Sequence, residues 1–438
     1  MLTLQGLQQQ LGPCMGAPAW VVGLSGGLDS MVLLEALTRL RQHHAIPSLS
    51  AIHVHHGLSV EADAWAQFCA DECAARGVPL TVVRVQLPAG ASIEEAARQA
   101  RYEAFAKALS PKAVLLLAHH ADDQLETLLF RMLRGTGLRG LAGMPQQRQL
   151  AAGSLCRPLL SWSRAQLHAW AQIHGLRWIE DPANHDERFA RTALRHQLLP
   201  LLRAEWPKAD QNLLRLAAHA SEANELLDER AEQDLAVVAA PLADEWLVRW
   251  RSLDLGTLCS LSLPRQRNLL RYWLAAQDAL LPSARRLDAW LGQMAAASDT
   301  QPQLDLGEWR LYRSSGRIWY VPGSWPRTGT PEPVTNGGSY RLAAGNGCLR
   351  LSALPATSAP WHIAYRSGGE QIRLPGRGTH SVKQLLQEAH VPAWLRPCVP
   401  LLYCGNELVS VAGRWNAEVA LMDAVQSGFT VSWEPVSD

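Results

Sequence analysis

Four short stretches concentrate residues that can do chemistry. The first is Ser25-Gly26-Gly27-Leu28-Asp29-Ser30. Before it, residues 21–24 form an apolar run that reads as a buried strand; after it, Met31, Leu34, Leu37 and Leu40 fall at helical spacing. A strand-to-helix turn of this kind gathers the free N–H groups that open the helix, and its glycines let the backbone approach a ligand closely. Its chemistry is anion binding. The plainer alternative is a glycine turn in which Ser25 or Asp29 caps the helix. A Walker A loop is excluded, because no Gly-Lys-Ser/Thr follows.

The second stretch, His119-His120-Ala121-Asp122-Asp123, follows a strand predicted over 114–118. Asp122 or Asp123 could cap the next helix, marked by Leu125, Leu128, Leu129, Met132 and Leu133 and stopped by Gly135. Two histidines and two acids together exceed what capping needs. The third is Arg101, on the face that carries Ala97 and Ala104 of a helix predicted over 93–109. A guanidinium there is costly unless it meets a buried carboxylate or the phosphate or carboxylate of a ligand, or reaches the rim. The fourth is the glycine-rich run 133–144 with Arg131, Arg134, Arg139 and Arg148 around it. It suits a phosphate backbone, or else is a solvated arginine face.

The elements that must position these groups alternate. Strands over 21–24, 49–55, 78–85 and 114–118 are separated by helical patterns, which predicts a parallel, doubly wound sheet with its ligands at the carboxyl ends of the strands. At 438 residues the chain is long enough for two to four domains. We expect a doubly wound α/β domain over 1–205, a helical connector and middle domain over 206–325, and a small α+β domain over 340–438. The middle region carries a long helix over 207–238, further helices within 263–294 and short strands at 309–312 and 318–321. A Pro/Gly-rich linker is predicted over 322–338. Beyond it come strands at 347–354, 361–365, 371–374, 401–403 and 408–411, and one helix over 381–389 that carries Lys383.

With 47% hydrophobic and 18% charged residues the chain reads as globular, and a formal charge of +1 argues against a uniformly basic nucleic-acid binder. Eight cysteines without a C-x-x-C pair read as reduced structural thiols, not a zinc site. Neither a leader-like N-terminus nor a membrane-length apolar run is evident, so a cytoplasmic protein with no membrane partner is expected. The 17 tryptophans are scattered and read as core.

The hexapeptide resembles the pyrophosphate-binding loop of the N-type ATP pyrophosphatases. Ser25–Ser30, His53-Val54-His55-His56-Gly57, Arg101-Tyr102, the stretch 118–127, the glycine-rich run, Arg157-Pro158-Leu159-Leu160 and residues 178–184 together resemble the tRNA(Ile)-lysidine synthetase family in order and spacing. Two departures are Ala183, where serine is common, and Thr192, where asparagine is usual.

The resemblance implies that ATP adenylates the C2 oxygen of the wobble cytidine in isoleucine tRNA with a CAU anticodon, and that L-lysine then displaces AMP. Ser25, Gly26, Gly27, Leu28, Asp29 and Ser30 would bind ATP with Mg2+, Asp29 holding the metal or orienting the amine. Asp122 or Asp123 would be the carboxylate base. Arg101 would meet the lysine carboxylate or the adenylate phosphate, with His119 and His120 on the substrate side. Arg134, Arg139, Arg191, Arg195 and Lys383 would face the tRNA, and the enzyme would be a monomer or homodimer. A 2-thiolating enzyme of the same loop class is the nearest rival, but its iron–sulfur type needs clustered cysteines. A tRNA-binding protein with a vestigial nucleotide site is opposed by the intact loop and Asp pair.

Overall fold

The computed structural model describes residues 1–57, 59–86, 93–180, 190–240, 242, 244–277, 279–294, 302–325, 329–342, 345–352, 354–355, 357–417 and 429–435. The chain forms two compact units, Met1–Glu225 and Leu226–Asp438.

In the first unit, α1 (Leu4–Leu11), β1 (Ala19–Gly23), α2 (Leu28–His43), β2 (Ser48–His55), α3 (Ala62–Ala75), β3 (Leu80–Arg84), α4 (Ile93–Ala108), β4 (Val114–Leu116) and α5 (Ala121–Leu133) alternate as the patterning predicts. There follow α6 (Leu138–Leu141), β5 (Gln147–Leu150), β6 (Gly153–Cys156), α7 (Arg164–Ile173), α8 (Ala190–Ala193), α9 (Leu199–Glu205) and α10 (Ala209–Val238), the last crossing into the second unit. The sheet order is β3-β2-β1-β4-β6-β5. Every pair is parallel except β5–β6.

Both faces of this sheet are covered, which is why its strands are apolar without alternation. Trp20 and Val22 of β1 pack with α1, α2 and α7, and ten residues of α2 are buried. On the other face Ile52, Val54, Leu115 and Leu117 meet Ala104 and Phe105 of α4. The strand order turns back at β1, flanked by β2 and β4, so the loops leaving β1 and β4 open into one crevice. The β5–β6 hairpin went unread in the sequence because Gln147-Arg148-Gln149-Leu150 is a polar edge strand with no apolar period.

The second unit begins with β7 (Ser252–Asp254), α11 (Leu255–Ser260), α12 (Leu263–Ala275), α13 (Ala284–Met294), β8 (Gln303–Asp305), β9 (Trp309–Ser314) and β10 (Arg317–Pro322). The four strands pair as β7-β10-β9-β8. Leu269, Leu270, Leu287 and Trp290 of the helices pack on Leu253, Leu311 and Ile318 of the sheet, in which β7 and β8 join the two strands expected at 309–312 and 318–321.

Next come β11 (Glu332–Val334), β12 (Gly338–Arg341), β13 (Cys348–Leu351), β14 (Trp361–Ala364), β15 (Gln371–Leu374), β16 (Gly378–Ser381), α14 (Val382–Glu388), β17 (Leu401–Cys404), β18 (Glu407–Val411), β19 (Trp415–Asn416) and β20 (Val431–Glu434). They pair as β11-β14-β17-β18-β19, β12-β13-β20 and β15-β16. The predicted linker over 322–338 therefore contains a strand, β11, held by β14. Trp246, Trp250, Trp319, Trp325, Trp394 and Trp433 are buried in one core. None of the eight cysteines is joined in a disulfide. No helix among the described residues is long and apolar enough to cross a membrane.

Gly153 allows β6 to approach β4: a Cβ there would lie 2.3 Å from the Ala113 carbonyl oxygen. Gly153→Ala is expected to destabilise the first unit by about 1–3 kcal/mol through overpacking. Denaturant unfolding followed by hydrogen exchange on β4 amides checks this; unchanged exchange would show that the strands can part at no cost.

Candidate active site

The loops leaving β1, β2 and β4 surround a cavity of about 1120 Å³. Gly27 is the N-cap of α2 and no side chain caps that helix end, so neither Ser25 nor Asp29 plays the capping role. Ser25, exposed at the cavity, bonds within the loop instead. Its N–H donates to Ser30 Oγ at 3.2 Å, its Oγ accepts from Gly27 N–H at 3.3 Å, and Ser30 Oγ donates to the Gly27 carbonyl at 3.0 Å. These bonds hold the hexapeptide closed around helix-opening N–H groups that lack intrahelical partners. Leu28, with 7% exposure, anchors the turn in the core.

Gly26 has φ +85°, and a Cβ there would stand 2.7 Å from Ile179 Cδ1 and 3.1 Å from Cys69 Sγ. Ile179 also donates its N–H to the Gly26 carbonyl at 2.9 Å. The segment that carries it is fastened by Arg177, which pairs with the buried Glu72 of α3. Glu72 in turn holds Arg76 at 2.7 Å. Trp178, Ile179 and Glu180 thus form a strap along the cavity wall.

From β4 come His119 and His120. His120 is the N-cap of α5, in a capping box with Asp123: the His120 N–H donates to Asp123 Oδ2 at 2.9 Å. Its Nε2 lies 3.5 Å from Asp29 Oδ2 and 3.5 Å from Asp123 Oδ2. Burial disfavours charge on this ring, but the Asp29 hydrogen bond and the carboxylates of Asp123, Asp29 and Asp122 outweigh it and raise its pKa. Burial pushes Asp123 up as well.

Asp122 is placed differently. Its Oδ1 binds Arg203 at 2.6 Å and its Oδ2 accepts the Arg164 N–H at 2.8 Å. Against burial, which raises it, these donors hold the Asp122 pKa down. Both oxygens are committed to fixing α7 and α9. Sequence reasoning missed Glu126, which lies 3% exposed and receives Arg195 through bonds of 2.6 and 3.1 Å. The available signal was an acid on the buried face of an otherwise apolar helix. Arg195 sits on a π-helical turn, Leu194–Leu198, and also lies 3.7 Å from Asp123. It faces the cavity.

Arg101 is exposed into the cavity while Ala97 and Ala104 beside it are buried. Its Nε donates to His56 Nε2 at 3.4 Å, and no carboxylate among the described residues pairs with it. Burial and the Arg101 charge push His56 down to about 4, and burial with Arg157 and Arg98 pushes His119 down to about 3.

The glycine-rich run is tied to α5. Gln124 bonds Met144 through both amide atoms, at 2.6 and 3.0 Å, and Arg131 donates to the carbonyls of Gly140 and Gly143. Arg134 lies 5.1 Å over the Phe130 ring, and Arg139 is exposed on α6. The Arg191 side chain and Ala183 fall outside the described residues. Lys383 is exposed in the first turn of α14, in the second unit.

A glycine loop between β1 and α2 at the turning point of a parallel sheet defines a PP-loop domain, and the PP-loop domain family model matches residues 3–202. The models for the TilS substrate binding domain and the TilS substrate C-terminal domain match residues 253–319 and 361–433. The chain is 48% identical over 431 residues to the tRNA(Ile)-lysidine synthase of Pseudomonas putida, covering 97% of each. It is 46% identical to that of Pseudomonas aeruginosa, covering 98% of this chain and 96% of the relative, and 37% identical to that of Escherichia coli, covering 94% and 96%. The chain belongs to the tRNA(Ile)-lysidine synthase family.

Two expectations follow. Gly26→Ala forces a strained φ and a clash with Ile179; it should weaken ATP binding tenfold or more in calorimetry, whereas an unaltered Kd would show that the loop yields. His56 and His119 stay neutral in the fold but take up protons near pH 6.5 when unfolded. The unfolded chain therefore binds more protons as pH falls below about 6.5, and stability is lost down to about 4 through His56 and about 3 through His119. Histidine ring NMR should show His56 unprotonated at about pH 5, with its pKa rising in Arg101→Gln; titration at an ordinary value would contradict this.

Proposed function

We propose that the cavity adenylates the wobble cytidine of isoleucine tRNA with a CAU anticodon and then joins L-lysine to it. The observation that carries this reading is the meeting of the glycine loop and a cluster of acids, three half-buried and one buried, at one crevice, in a chain that belongs to the lysidine synthase family. In the first step the cytidine O2 attacks the α-phosphorus of ATP; the bond to the β-phosphate oxygen breaks and pyrophosphate leaves. In the second, the lysine ε-nitrogen attacks C2, the C2–O bond breaks, AMP leaves, and the nitrogen gives up a proton.

Each step asks something of this chain. Ser25, Gly26, Gly27, Leu28 and Ser30 receive the phosphates by N–H and hydroxyl donors. Asp29 Oδ1 is buried without a hydrogen-bond partner among the described residues, which suits a cation ligand. No group of three or more His, Cys, Asp or Glu side chains among the described residues could hold a metal. One carboxylate plus ATP oxygens is a donor set that fits Mg2+, which would neutralise the departing pyrophosphate.

Asp123 is the better base of the Asp pair. Burial raises its pKa toward that of a working general base, whereas Asp122 has both oxygens engaged. Arg101, free of any described carboxylate, meets the adenylate phosphate or the lysine carboxylate, and His120 holds Asp29 and Asp123 in register. Arg134, Arg139 and Lys383 contact tRNA, in keeping with a cytoplasmic RNA substrate. Arg195 is best assigned to the acidic wall, where Glu126 already holds it.

The reading predicts release of pyrophosphate from ATP that depends on the tRNA, and entry of labelled lysine into its anticodon. Asp123→Ala should lower lysine transfer by about 10²–10⁴-fold, and Asp29→Ala should lower pyrophosphate release as well. Pyrophosphate release indifferent to tRNA, or a product anticodon without lysine, would overturn it.

A further inference from the structure

One group of charges in the first unit is left unused by this chemistry. The guanidinium carbons of Arg98 and Arg148 both lie over the Tyr102 ring, 5.0 and 5.2 Å from its centroid. Arg157, only 3% exposed, donates from Nη1 to the Pro145 carbonyl at 2.8 Å, while its Nε and the Tyr102 hydroxyl are both buried without a hydrogen-bond partner among the described residues. Among the described residues no carboxylate pairs with any of the three arginines. The charged groups that act on His119 beside them are Arg157, Arg98, His120 and Arg101. Cations packed this closely, one of them buried, are unfavourable unless an anion comes among them.

Position decides which anion. Arg98, Arg101, Tyr102 and His119 line the cavity, whereas Arg148 does not and is exposed on β5. The run of cations thus passes from the cavity wall to the outer surface. A free amino acid or nucleotide enclosed in the cavity would reach only the inner end. A polynucleotide that inserts one base must leave the phosphates on either side of that nucleotide at the mouth.

We propose that Arg98 and Arg148, mounted on Tyr102 and backed by Arg157, bind an RNA phosphodiester next to the nucleotide that enters the cavity. This rests on the cavity being an RNA-modifying site. The aromatic ring holds both guanidinium groups; Arg148 Nη1 also donates to the Gln149 carbonyl at 3.3 Å, and the remaining N–H donors can meet phosphate oxygens.

The test compares full-length wild type with Arg98→Gln, Arg148→Gln and the double variant, using the full tRNA and an anticodon stem-loop. Kd is measured against salt concentration, and KM for ATP and for L-lysine is measured alongside. The double variant should bind both RNAs about tenfold more weakly and flatten the plot of log K against log salt by about 1 to 2, with KM for ATP and lysine within twofold of wild type. Arg98→Lys should keep the salt slope and lose part of the affinity; melting curves establish that each variant is folded. A folded double variant with unchanged RNA affinity and slope overturns the proposal, and so does a rise in KM for ATP or lysine with RNA binding intact. Wild-type protein that binds neither RNA would instead sink the reading of the cavity itself, and this proposal with it.

Discussion

The contact between His120 and Asp29, 3.5 Å from ring nitrogen to carboxylate, joins the loop after β1 to the loop after β4 across the turning point of the sheet. Much else hangs on it. His120 starts α5, and so fixes where Asp123 and Glu126 stand; Asp29 lies in the first turn of α2, and so fixes the glycine loop. Two helices of different sheet crossovers are thereby registered by one imidazole. That ring is 2% exposed, and a buried polar group so placed is costly unless its partners stay where they are. The same condition that satisfies the ring keeps the two halves of the site aligned.

Charge is sorted within the cavity. Asp29, Asp123 and Glu126 gather near Arg195 and His120, so that side is acidic but largely compensated. Around Tyr102 the arginines have no described carboxylate at all. Such an arrangement gives the cavity walls of opposite sign, and the low dielectric of a partly closed cavity strengthens the difference between them. The histidines obey the same field. His120, among acids, is pushed up, and His119, among cations, is pushed down, although the two are adjacent in sequence.

This division marks what the sequence could reveal. The parallel sheet was legible because apolar runs buried on both faces carry their own period, and the glycine loop was legible because few other turns need that composition. The meeting of His120 with the Asp pair followed from one strand end delivering both. Less could be read where function depends on contact between distant segments. Nothing local marks Ile179 as the residue that closes over Gly26, or Glu72 as the anchor of Arg177. Asp122 and Asp123 are equivalent in sequence, and only the approach of Arg203 and Arg164 tells them apart. The hairpin β5–β6 escaped notice because an edge strand needs no apolar face, yet it is what brings Arg148 to Tyr102.

The tryptophan distribution has an optical consequence. Eleven of the 17 tryptophans lie after Glu225, and six of these share one buried core in the second unit. Intrinsic emission from the molecule is therefore weighted toward the unit that holds neither the glycine loop nor the acidic cluster. A melting curve recorded by fluorescence mostly follows the Leu226–Asp438 unit. The unit that holds the cavity can loosen with little change in the signal, and Trp65 and Trp178, which line the cavity, are the emitters whose response would speak for it.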